Sequence, residues 1–153
     1  MRINFVRSAE KKKIVEKLND SFGIEELPYL LIESGKEKLK AFSGHLSKEE
    51  MLEIAETIRI EAIGLYLVKE ENNELRLGLD GAWLLKDQIT KNIVEVNKEQ
   101  AEMWMKGLDL DIKTERGPTV IKYKDYIIGC GKSSSEKIYN YVPKDRRVRN
   151  KLF

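Results

Sequence analysis

Apolar residues recur along this chain in two rhythms, and the switches between them mark out its elements. Ile14, Val15, Leu18 and Phe22 fall on one helical face. They predict a helix capped by Ser8 and stopped by Gly23, a residue that tolerates the left-handed conformation just past a last turn. Tyr29–Ile32 and Leu39–Phe42 are short apolar runs about Ser34-Gly35 and predict a β-hairpin. In Ser47-Lys48-Glu49-Glu50 the hydroxyl and the carboxylate can each satisfy a free backbone N–H, a capping box that opens a helix carrying Met51, Leu52, Ile54 and Ala55. Ile58–Val68 is rich in β-branched and long apolar residues and predicts a long strand bent at Gly64. Asn72-Asn73 turns into a second strand, Glu74–Leu79. Asp80 is expected to cap a short helix through Ala82, Trp83, Leu84 and Leu85. Ile93–Val96 reads as a strand, and Asn97 with Gln100 as box partner opens a helix from Lys98 to Lys106 that Gly107 stops. A hairpin over Thr119–Cys130 turns at Lys124-Asp125, and a last strand is expected at Ile138–Tyr141.

The pattern changes near Glu56–Arg59. A helix–hairpin–helix unit precedes it; about six strands with two short helices follow. No Gly/Ser linker separates them, so the two parts are expected to pack closely. The fold class predicted is α+β: a small N-terminal α/β unit over residues 1–57, then a mixed β unit over residues 58–153. Cys130 is the single cysteine, so no intrachain disulfide is possible and a reducing compartment fits best. Met1-Arg2-Ile3-Asn4 begins no signal peptide, and no apolar run approaches the ~20 residues of a membrane span. The expectation is a soluble, cytoplasmic protein with no membrane partner.

Charge changes the picture in the last quarter. Eleven Lys and Arg stand against four acids from Lys113 onward, a balance of +7. The remaining seventeen cations face twenty-two acids, a balance of −5, so the overall +2 hides a basic end on a mildly acidic body. Such asymmetry points to a polyanionic partner. The competing reading is a Lys-rich solvated surface of a heat-tolerant protein, since 35% of residues are charged; the local basic excess argues against it.

The candidate chemistry lies in the same region. Gly129-Cys130-Gly131-Lys132 reads as a corner at the end of the hairpin, where two side-chain-free residues let a phosphate approach main-chain amides while Lys132 neutralises it. A nucleotide P-loop needs a glycine five residues before the second one, and Tyr126 stands there. Lys144, Arg146, Arg147 and Arg149 cluster after the Pro143 corner and are expected to meet phosphates, with Lys137 as a further RNA-binding candidate. Tyr139 and Tyr141 share one face of a strand with Asn140 on the other; either the tyrosines are core or they form a stacking surface. Trp104, with Ala101 and Met105, has helical spacing and is expected in the core, and Trp83 is expected to pack beneath the sheet. His45 is the only histidine and Cys130 the only thiol, so no zinc set exists and no hydrolase triad is indicated. Glu49-Glu50, Glu70-Glu71 and Asp109/Asp111 lie in polar stretches without the apolar frame that acid–base work requires. Lys11-Lys12-Lys13 shares its helix with Glu10, Glu16 and Asp20 and reads as a solvated face.

A resemblance joins these features. Gly64-Leu65-Tyr66-Leu67, Leu77-x-Leu79-x-Gly81-Ala82, a helix ending in Trp104-Met105-Lys106-Gly107, Gly129-x-Gly131-Lys132 and Asn140-Tyr141-Val142-Pro143-Lys144-x-Arg146-Arg147 stand in the order of the PUA-like RNA-binding domain that ends Sun/Fmu-type rRNA cytosine-5 methyltransferases. The likeness runs from about Ile58 to Arg149, and its last element is the most specific. It implies a compact pseudo-barrel that binds structured RNA, rRNA or tRNA, with Asn140, Lys144, Arg146 and Arg147 as functional positions. Those methyltransferases carry a Rossmann-like domain and cysteines in Pro-Cys motifs; neither is found here, and no S-adenosylmethionine loop is visible. The resulting expectation is a non-catalytic, cofactor-free RNA-binding protein of ribosome biogenesis, rRNA processing or RNA modification, as an accessory to an RNA-modifying enzyme. Its alternative is an interaction module docking on a methyltransferase or ribosomal protein.

Overall fold

The computed structural model describes residues 3–35, 37–43, 46–57 and 64–149. His45 and residues 58–63 of the expected long strand lie outside them. Strands β1 (Asn4–Phe5), β2 (Leu30–Glu33), β3 (Lys38–Phe42), β4 (Leu65–Glu71) and β5 (Glu74–Leu77) form one antiparallel sheet in that order. Strands β6 (Ile93–Glu95), β7 (Gly117–Tyr123), β8 (Tyr126–Ser133) and β9 (Ile138–Asn140) form a second, with β6 parallel to β7 and the remaining pairs antiparallel. Helices α1 (Ser8–Phe22), α2 (Lys48–Thr57), α3 (Leu79–Leu84) and α4 (Lys98–Met105) complete the α+β fold, with 3-10 turns at Lys86–Gln88 and Lys144–Arg146. Because β3 pairs with β4, one sheet takes strands from both sides of residue 57.

Local chemistry accounts for most boundaries. Glu50 N donates to Ser47 Oγ at 3.1 Å and Ser47 N to Glu50 Oε1 at 3.3 Å; Gln100 N donates to Asn97 Oδ1 at 2.8 Å and Asn97 N to Gln100 Oε1 at 2.9 Å. Both capping boxes are therefore formed. Gly23 closes α1 with φ +81°. Asn72 and Asn73, at φ +52° and +63°, make the tight β4–β5 turn, which only residues tolerant of the left-handed region permit. Two expected caps differ. Arg7, not Ser8, precedes α1 and gives no side-chain cap; Gly78, not Asp80, precedes α3, leaving Asp80 inside the first turn. Of the expected strand through Ile58–Val68, the described part forms the start of β4, which begins at Leu65 after Gly64 at φ +77° and runs on to Glu71.

β5 packs against β7 and β8, bringing the sheets together. Leu67, Val68, Leu75 and Leu77 of the first sheet meet Val120, Ile127 and Cys130 of the second, with Leu18 and Phe22 of α1 beneath them. On the other side of the second sheet, α4 lays Ala101 and Trp104 against Ile121 and Ile138. Both faces of this sheet are thus covered, so β7 is buried almost without alternation. Trp104 is fully buried, as expected. Trp83 is not beneath the sheet: it is 40% exposed, with the Lys86 ammonium 4.9 Å from its ring.

Candidate functional site

The Gly-x-Gly-Lys segment is not a corner. β8 continues through it to Ser133, and Gly131 lies opposite Thr119 on one side and Asn140 on the other. Both glycines are buried. A Cβ on Gly129, whose φ is +151°, would stand 2.5 Å from Trp104 Nε1 and 3.0 Å from Val142 Cγ2. A Cβ on Gly131 would run into the Tyr139 carbonyl oxygen and come within 2.6 Å of Trp104 Cη2. The absent side chains make room for the indole, whose Nε1–H donates to Ile128 O at 3.1 Å. Cys130 between them is buried, and that burial pushes its thiol pKa from 9.0 to about 12, with the Arg76 charge pulling slightly back.

The strand alternation resolves the tyrosines. Lys132 and Tyr139 are register partners, while Gly131 and Asn140 pair on the opposite face. Tyr139 and Tyr141 point outward, 41% and 36% exposed. Asn140 points in and is fully occupied. Its Nδ2 donates to Trp104 O at 2.8 Å and Leu108 O at 3.0 Å, its Oδ1 accepts from Val142 N at 2.8 Å, and its own N–H donates to Asp109 Oδ1 at 2.8 Å. Asn140 therefore ties the end of α4 to the start of the tail.

The nominated cations divide by their partners. Lys132 Nζ lies 3.2 Å from Glu74 Oε2; that oxygen accepts no aligned hydrogen bond, so the contact is an ion pair and nothing more. Lys137 Nζ is 3.4 Å from Asp109 Oδ2 and 4.8 Å from the Tyr139 ring centre. Arg146 Nη2 reaches both oxygens of Asp80, at 3.2 and 3.1 Å, so the residue expected to cap α3 anchors the tail instead. Arg147 Nε donates to Val142 O at 3.0 Å, and its stem fills the space above Gly107. Lys144 and Arg149 are exposed and have no partner among the described residues. Partly exposed ion pairs of this kind contribute only about 0–1 kcal/mol, so a phosphate can compete for Lys132, Lys137 and Arg146. Lys144 and Arg149 need release from no partner among the described residues.

The sequence reading missed one contact. The Arg76 guanidinium stacks on the Tyr141 ring at 3.8 Å, bridging β5 to the residue after β9. Alternation in Leu75-Arg76-Leu77 shows that Arg76 faces away from the core; nothing local shows what it meets.

Residues 91–148 match the family model described as the methyltransferase RsmF PUA domain. Three relatives, each described as a ribosomal RNA small subunit methyltransferase F, give the breadth of the likeness. The protein of Vibrio campbellii is 32% identical over 101 residues, which is 61% of this chain and 21% of that protein. The protein of Psychromonas ingrahamii is 23% identical over 158 aligned positions, covering 97% of this chain and 32% of that protein. The protein of Aeromonas salmonicida is 26% identical over 98 residues, 63% of this chain and 21% of that protein. The chain thus spans between a fifth and a third of the length of these relatives.

Proposed function

We propose that this chain, which carries a PUA domain of the methyltransferase RsmF kind over residues 91–148, binds structured RNA in rRNA modification and ribosome biogenesis. One coincidence carries the reading. The segment that matches the family, residues 91–148, takes in most of the basic end that begins at Lys113, and Lys144 inside it and Arg149 just past it stand exposed without partners among the described residues. Phosphate contacts of this kind supply affinity and register without reading sequence. Lys132, Lys137 and Arg146 join them by exchanging partly exposed carboxylates for phosphates. Tyr139, outward-facing beside Lys132 and Lys137, offers a stacking surface to an unpaired base.

The described residues take no catalytic role in this proposal. A thiol held at about 12 is not a thiolate near neutral pH, so Cys130 does not act as a nucleophile. The chain positions RNA for an RNA-modifying enzyme, and the class of the relatives favours small-subunit rRNA over tRNA. The second reading, a docking module for a methyltransferase or ribosomal protein, draws on the neutralised state of Lys132, Lys137 and Arg146, each already held by a carboxylate. Ultraviolet crosslinking of the chain in its native cells, followed by sequencing of the attached RNA, tests the assignment. Enrichment of small-subunit rRNA over other abundant RNA is the expected result. Recovery of protein adducts with no RNA above background overturns it in favour of the docking module.

A further inference from the structure

Three cations stand in a row across the first sheet. Lys38 on β3 is the register partner of Lys69 on β4, and Lys69 is the register partner of Arg76 on β5. Residues directly opposite on neighbouring strands share a face, and like charges in that arrangement destabilise the pairing. A shift in the β3–β4 register adds an aromatic to the row. Lys40 pairs with Tyr66, so Tyr66 and Lys69 lie on the same face although three residues apart, because Lys38 and Lys40 do.

This row lines a cleft of about 190 Å³ whose walls also include Tyr141 and Pro143. The groups in it are held in place. Tyr66 lies against the bare backbone of Gly78, where a Cβ would run into its ring. Burial raises the pKa of the Tyr66 hydroxyl, with Arg76 as the largest opposing influence, so it remains a protonated donor at neutral pH. Arg76 is fixed over Tyr141, and its Nε is buried without a hydrogen-bond partner among the described residues. Two acids lie on the same face at the edge of the row: Glu71 Oε2 is 3.8 Å from Arg76 Nη2, beyond hydrogen-bond length, and Glu74, two residues before Arg76, is 3.2 Å from Lys132 Nζ. Glu70 is held on Lys17 at 3.0 Å. Lys69 has no partner among the described residues, and Lys38 has only the Tyr66 ring, at 5.7 Å.

We propose that this cleft between the two sheets binds a phosphate group through Lys38, Lys69 and Arg76. With Lys132 already holding Glu74, three cations against the loosely placed Glu71 carboxylate leave a net positive site, and a guanidinium beside an ammonium suits a tetrahedral oxyanion. Size sets the limit. Pockets for whole drug-sized ligands run to about 300–1,000 Å³, so this cleft takes one phosphate and leaves an attached base and ribose outside. The phosphate can come from an RNA chain or from a free nucleotide; the first source rests on the RNA reading above.

The test uses the full chain with three probes: inorganic phosphate, adenosine monophosphate and an RNA hairpin. Affinities are measured for the wild type, Lys38→Met, Lys69→Met and Arg76→Lys, with melting temperatures in phosphate-free buffer. Methionine keeps most of the aliphatic stem and removes the charge. Lys69→Met should weaken binding of all three probes by about tenfold, roughly one charge-assisted contact. It should also raise the melting temperature of the free chain, because the central like charge has gone. A structural role for Lys69 predicts the opposite thermal shift. Loss of binding to the hairpin alone assigns the site to an RNA phosphate; equal loss for adenosine monophosphate with no RNA binding by the wild type retains the site and overturns the RNA reading. Unchanged affinities in Lys38→Met and Lys69→Met overturn the phosphate site, and wild-type hairpin binding would then leave the RNA reading standing alone.

Discussion

Gly131→Ala separates two reasons for a glycine in β8. If the residue admits an RNA backbone, a methyl group weakens RNA binding and leaves the fold intact. The packing gives the other answer. The new Cβ would collide with the Tyr139 carbonyl oxygen across the β8–β9 ladder and stand 2.6 Å from Trp104 Cη2. The carbonyl cannot rotate away, since it belongs to a strand paired in register. Overpacking of a tight core costs about 1–3 kcal/mol, and a backbone collision places this case at about 2 kcal/mol or more. At about 2–4 °C per kcal/mol for a chain of this size, the melting temperature should fall by about 4–8 °C. The assay is thermal unfolding followed by circular dichroism, with RNA affinity measured well below the transition. Affinity per folded molecule should stay within a few-fold. Pairing the change with Trp104→Phe, whose ring does not reach Cη2, should show a favourable coupling of about 0.5 kcal/mol or more. An unchanged melting temperature together with lost RNA binding would refute the packing argument.

Asn140→Ala removes three side-chain hydrogen bonds and should cost about 2–4 kcal/mol, read as a lower urea midpoint; a shift under about 0.5 kcal/mol would show that α4 does not depend on the tail. Arg147→Ala should destabilise, through lost packing on Gly107 and the lost bond to Val142 O, whereas Arg146→Ala should leave the urea midpoint nearly unchanged and reduce RNA affinity. Similar midpoints for the two variants would remove the distinction. The Cys130 thiol holds its proton more tightly folded, at about 12, than at its ordinary 9.0, so its share of stability is complete below pH 9.0 and drains away towards pH 12. Between pH 8 and 10.5 the wild type should lose more stability than Cys130→Ala, and parallel losses would contradict the burial.

The elements that were legible in the sequence are those fixed by a few adjacent residues. Ser47 and Glu50, Asn97 and Gln100, and the Asn72-Asn73 turn carry their own hydrogen bonds or dihedral needs, and the structure forms each of them. Ser8 and Asp80 show the limit of such signals: each stands one or two residues inside a helix whose preceding residue supplies the extended backbone at its start. Gly129 and Gly131 were ambiguous for a physical reason. Room for an indole and room for a ligand select the same residue, and Trp104 is more than twenty positions away along the chain. Tyr139-Asn140-Tyr141 gave the alternation but not its sign, which is decided by the backbone groups of α4 waiting for Asn140. The row Lys38–Lys69–Arg76 was invisible, because it exists only once three strands take their register, and that register contains a shift.

The central claim is that the basic end of this chain meets RNA by neutralising phosphates, and the salt dependence of binding tests it most directly. For a single-stranded RNA, log affinity against log salt falls by about 0.7 per phosphate contact. With Lys144, Arg146 and Arg149 engaged, the account predicts a slope of about −2 or steeper, moving towards zero by about one contact in each of Lys144→Ala and Arg149→Ala. Saturable RNA binding that is insensitive to salt, or a slope unchanged in both variants, would contradict it.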